Sequence, residues 1–89
     1  MRIKDGFELE NRSGQWVVVA KGELAATLNS IVLTESAAFL WNLLKEKETS
    51  KTELLEAMIK EYDISTVLAL GNIDVFVRTL KENGIIEEK

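Results

Sequence analysis

At Thr34 the hydrophobic pattern changes its period, and that break confines the chain to few folds. Upstream, Phe7-Glu8-Leu9-Glu10 alternates apolar and charged residues, the period of a half-buried strand. Asn11-Arg12-Ser13-Gly14 collects turn formers, and Gln15-Trp16-Val17-Val18-Val19 is β-branched and aromatic. The pattern predicts a hairpin with a four-residue loop at Asn11 to Gly14. Lys21-Gly22-Glu23 ends the second strand, residues 24–29 have no clear period, and Ser30-Ile31-Val32-Leu33 gives a short third strand.

Downstream the period is near 3.6. Thr34 is a good N-cap and Glu35 suits the first-turn dipole. Ala37, Leu40, Leu43 and Leu44 share one face of the first helix, with Phe39 and Trp41 widening it. Ser50-Lys51-Thr52-Glu53 is a capping box and opens a second helix with core positions Leu54, Leu55, Met58 and Tyr62. Asp63-Ile64-Ser65 interrupts, and Ser65 caps a third helix running to about Asn83. Gly84 stands where a left-handed residue closes a helix, and Ile85-Ile86 folds back onto the core. Strands first and helices afterwards predict an α+β domain: a three-stranded antiparallel sheet followed by three helices, the order of a small winged helix-turn-helix.

Eighty-nine residues suffice for one domain, 1–89, with a single modest core. The chain has no histidine and no cysteine. It therefore lacks the commonest general base, the commonest metal ligand and the best nucleophile. No enzyme, no catalytic residue, no metal and no cofactor is expected. Without cysteine, and with no apolar stretch at the N-terminus or long enough for a membrane span, a cytoplasmic protein is expected. Net charge is −4: residues 1–33 balance four basic against four acidic side chains, while residues 34–89 carry seven against eleven. A nucleic-acid partner needs a basic face, and here the helical part is the acidic part.

The third helix carries more apolar surface than a core requires. At about 100° per residue, Ala69, Leu70, Ile73, Phe76, Val77 and Leu80 cluster on one side. Leu68 and Val75 point roughly 140–160° from Ile73. With Asn72 and Thr79 they make a second, semi-apolar stripe at spacings of four, three and four. Such a stripe beside a short strand with an unpaired edge could wall a groove for an extended peptide.

Across most of its length the sequence resembles the PqqD family. The resemblance is carried by Gly6-Phe7-Glu8-Leu9 with Gln15-Trp16-Val17-Val18-Val19, by Leu28-Asn29 with Ile31-Val32-Leu33-Thr34-Glu35, and by Ala37-Ala38-Phe39-Leu40-Trp41-Asn42-Leu43-Leu44. Glu61-Tyr62-Asp63-Ile64, Asn72-Ile73 with Phe76, and Leu80 with Gly84-Ile85-Ile86 complete it. The chain departs from the family pattern at Thr34, where Asn is usual, and at Asn72, where an acidic residue is usual. The resemblance implies a RiPP recognition element: a winged-helix domain that binds the leader of a ribosomally synthesised precursor peptide and presents it to a separate modifying enzyme, in many pathways a radical S-adenosylmethionine enzyme. It implies that the leader adds as a strand along Ser30, Ile31, Val32 and Leu33 and lies against Leu68, Asn72, Val75 and Thr79.

A winged-helix DNA-binding regulator is the alternative. It predicts a basic third helix, yet that helix offers Arg78 and Lys81 against Asp74 and Glu82. A protein-interaction module without a peptide substrate is the third possibility. An exposed strand edge is compatible with a monomer or a homodimer.

Overall fold

The computed structural model describes residues 1–21 and 31–87. The segment read as aperiodic at 24–29, and Ser30 with it, lie outside the described residues. The elements run β1 (Arg2–Ile3), β2 (Phe7–Arg12), β3 (Gln15–Ala20), β4 (Ile31–Leu33), α1 (Glu35–Glu46), α2 (Lys51–Tyr62), α3 (Thr66–Glu82) and β5 (Ile86–Glu87). The strand expected as third is thus β4. A three-stranded antiparallel sheet, β2-β3-β4, precedes three helices, as expected of this α+β pattern.

The hairpin differs from the four-residue loop expected at Asn11 to Gly14. Pairing continues through Asn11↔Trp16 and Arg12↔Gln15, leaving a turn of only Ser13 and Gly14. Both have positive φ, 53° and 85°, the signature of a primed turn whose twist matches the strands it joins. The Asn11 side chain accepts a hydrogen bond from the Gly14 N–H at 3.2 Å, so this turn former acts from within the ladder.

A second sheet was not foreseen: β1 pairs antiparallel with β5, with Ile3 opposite Ile86. Strands of two residues have no period to detect. The ribbon is fastened by the Lys4 N–H donating to the Ile85 carbonyl at 2.8 Å and by the Arg2–Glu87 ion pair at 3.3 Å. Gly84, at φ 68°, takes the left-handed conformation that turns the chain from α3 into β5.

Each helix begins at its expected cap. The hydroxyls of Thr34, Ser50 and Ser65 accept from the N–H groups of Ala37, Glu53 and Leu68, and the Ser50/Glu53 box is reciprocal. The buried arc of α1 is centred on Ala38, Leu40, Trp41 and Leu44, while Ala37, Phe39 and Leu43 are half-buried. The expected stripe had Trp41 at its margin. The centre moves because α1 packs against β1, β4, α2 and α3 together, which buries more than one face. Trp41 is the largest fully buried side chain. Leu54 and Met58 of α2, and Ala69, Ile73, Phe76 and Leu80 of α3, complete the helical core. Leu55, Tyr62, Leu70 and Val77 stand half-buried around it.

Candidate functional site: a groove between β4 and α3

β4 is short because the chain turns into α1 immediately after Leu33. It pairs with β3 through Trp16↔Leu33, Val17↔Val32 and Val18↔Ile31. Ile31 and Leu33 point into the core, and Val32 points outward at 56% exposure. No described strand pairs with the other edge of β4. An edge of this kind offers backbone donors and acceptors to an added strand.

Facing that edge is the outward stripe of α3. Val75 is 54% exposed and Leu68 61% exposed, although both belong to a helix whose opposite face is fully buried. Asn72 is exposed and Thr79 half-buried on the same stripe. Between strand and helix lies a cavity of about 200 Å³. Val32, Leu33 and Thr34 form one side and Asn72, Val75, Phe76 and Thr79 the other. Ser36, Ala37 and Leu40 of α1 close the end.

Five of the expected residues therefore line one hollow: Val32, Leu33, Asn72, Val75 and Thr79. Ile31 belongs to the core beneath it, at 9% exposure. Leu68 continues the stripe one turn nearer the start of α3, beyond the cavity wall. Periodicity within α3 could not find the contribution of α1. The available signal was adjacency: a helix that starts one residue after an edge strand must set its first turn beside that strand. Val67, the most exposed large aliphatic among the described residues at 79%, is off the groove stripe.

Among the described residues, no lining side chain is charged. Asp74, the residue after Ile73 on α3, forms an ion pair with Lys51 of α2. The polar groups in the wall are hydroxyls and one amide. The Thr34 and Ser36 hydroxyl oxygens are 3.2 Å apart, and Thr34 also caps α1. Two hydroxyls that share one hydrogen retain the other for a further acceptor. The hollow can thus bury apolar surface and hydrogen-bond a neutral polar group, and its described lining offers no countercharge. Among the described residues no cluster of acidic side chains could hold a metal ion, and no helix is long and apolar enough to cross a membrane.

The family model described as Coenzyme PQQ synthesis protein D (PqqD) matches residues 15–86. No curated protein sequence matches the chain. Among solved structures, TbiB1 in complex with the TbiA(beta) leader peptide is similar over 100% of this chain and 98% of that one, with a TM-score of 0.76 at 20% sequence identity. At that identity the likeness is one of fold.

Proposed function

The chain belongs to the PqqD family, and on that premise we propose that the β4–α3 groove holds the leader of a ribosomally synthesised precursor peptide and presents it to a separate modifying enzyme. The observation that carries this is the pairing of an edge strand with an exposed aliphatic stripe across a hollow of about 200 Å³. Strand addition along Ile31, Val32 and Leu33 supplies main-chain hydrogen bonds, and alternate side chains reach Asn72, Val75 and Thr79. The leader bound by TbiB1, a protein of the same fold, supports the assignment. The domain binds and does not catalyse, in keeping with a chain that has no histidine or cysteine. The partner enzyme is a radical S-adenosylmethionine enzyme, as in many pathways served by this family.

The test is a titration of the ¹⁵N-labelled protein with the leader of a candidate precursor peptide. Amide shifts should concentrate at residues 31–33 and 72–79. Shifts confined to the outer faces of α1 and α2, or elicited by duplex DNA and not by peptide, would remove the proposal.

A further inference from the structure

Two hollows among the described residues are of nearly equal size and opposite character. The described residues that line the groove, about 200 Å³, all have neutral side chains. The second, about 190 Å³, lies between the terminal ribbon and the end of α1, and five of its seven lining residues are charged: Arg2, Asp5, Lys45, Lys47 and Glu48. In a chain with 29% charged residues, a neutral wall across three separate elements is a property of the site rather than of the composition.

Taking the peptide-binding assignment above as its basis, we propose that the groove admits only an uncharged side chain at the occupant's position beside Leu33, and that Asn72 is the residue that sets this selection. An added strand extends the cross-strand row Asn11–Trp16–Leu33, and side chains along one row of a sheet share its face. Leu33 is buried and lines the cavity, so its new neighbour enters between Leu33 and the α3 wall. There it meets Leu40, Val75 and Phe76, and its nearest polar groups are the Asn72 amide and the hydroxyls of Thr34, Ser36 and Thr79. An apolar, hydroxyl or amide side chain is satisfied by this set. A carboxylate or ammonium would lose its hydration without gaining an opposite charge, and an unpaired charge is the costliest group to bury. Asn72 stands on the exposed lip of the wall, where replacement by a charge can be hydrated when the groove is empty.

The experiment uses the full chain and a displayed library of random twelve-residue peptides, selected in parallel on the wild type, Asn72→Asp and Asn72→Lys. The register of one enriched peptide is fixed by contacts to the Leu33 methyls, and its residue at that position is then replaced by Asp and by Lys. For the wild type, enriched peptides should be neutral there, and either charge should weaken binding by about a hundredfold. Asn72→Asp should recover most of the loss for Lys, and Asn72→Lys for Asp. Groove-bound peptides that carry either charge there within threefold of the neutral affinity would overturn the inference while leaving the peptide-binding assignment intact. So would Asn72 variants with unaltered preference. Enriched peptides that contact other surfaces, or no enrichment at all, would overturn the assignment and this inference together.

Discussion

The two ends of the fold solve the same problem in different ways. Around the terminal ribbon several polar and charged groups find partners within the chain. Arg2 meets Asp5 and Glu87, the Lys45 ammonium donates to the Phe7 carbonyl at 2.7 Å, and the Thr49 N–H donates to the Met1 carbonyl at 2.9 Å. The aliphatics there, Ile3, Ile85 and Ile86, are buried. At the groove the arrangement is reversed: Val32 and Val75 remain more than half exposed, and β4 has no described neighbour on its outer edge. Both regions cover the same core, so the difference does not come from a shortage of places to bury apolar surface. The ribbon side is finished by the chain itself, whereas the groove side is left open, the place where the proposed occupant would supply a strand.

If this division is right, damage to the ribbon should cost stability and damage to the groove should cost binding. The largest effect is expected at Ile85, which is fully buried and whose carbonyl anchors β1. Ile85→Ala should lower the unfolding free energy by about 3 kcal/mol, a typical cost of removing a buried aliphatic side chain, as read by urea denaturation. The molecules that remain folded should bind a groove peptide as tightly as before. A selective loss of affinity in that population would erase the distinction between the two sides.

Val75→Glu tests the other side. The new carboxylate is hydrated in the free protein, so stability should stay within about 0.5 kcal/mol of the wild type. With peptide in place it is desolvated against an uncharged wall, and affinity should fall at least tenfold, roughly 1.4 kcal/mol. Isothermal titration of both proteins beside their melting curves separates the two quantities. Extensive unfolding would mean that Val75 belongs to the core.

A smaller effect belongs to Thr49, the buried polar residue beside the charged hollow. Its hydroxyl donates to the Lys47 carbonyl at 3.0 Å and lies 3.5 Å from that of Leu43. Thr49→Val keeps the shape and removes the donor, at a cost of about 1 kcal/mol in the same denaturation assay. Peptide affinity should not change.

How much of this was legible beforehand depended on how local the cause was. The groove wall on α3 could be read because Val75 and Asn72 sit far around the helix from Ile73, and helical geometry converts spacing into direction. The three caps were equally local, each a Ser or Thr whose partner is three residues ahead. The contribution of Ser36 and Ala37 lies outside the reach of periodicity, and only the adjacency of α1 to β4 along the chain signals it. The β1–β5 ribbon joins opposite ends of the chain, and nothing in Arg2-Ile3 or Ile86-Glu87 alone names the other as its partner. A helical wheel puts Trp41 at the margin because it assumes one buried face, whereas α1 is contacted from several sides.

The smallest expected effect is a pH dependence on the finished side, where charges act through internal partners. Glu53 closes the capping box of α2: its carboxylate accepts from the Ser50 N–H at 3.1 Å, and its own N–H donates to the Ser50 hydroxyl at 3.1 Å. The backbone hydrogen bond from Ser50, more than any nearby charge, holds the Glu53 carboxyl below its ordinary value of 4.5. A carboxyl with a lower pKa folded than unfolded binds fewer protons in the native state. Its contribution to stability is therefore complete above about pH 4.5 and disappears as the pH falls through the folded value. Glu53→Gln retains a side-chain acceptor without a titrating proton, so its melting temperature should fall less steeply than that of the wild type between neutral pH and about pH 3. The test is a series of thermal melts of both proteins over that range, with equal slopes showing that the box contributes no proton linkage. Among the described residues no titratable group lines the groove, so affinity for a neutral peptide should stay level over the pH range in which both proteins remain folded. A peptide affinity that followed the melting curve downward would show that the two sides are coupled.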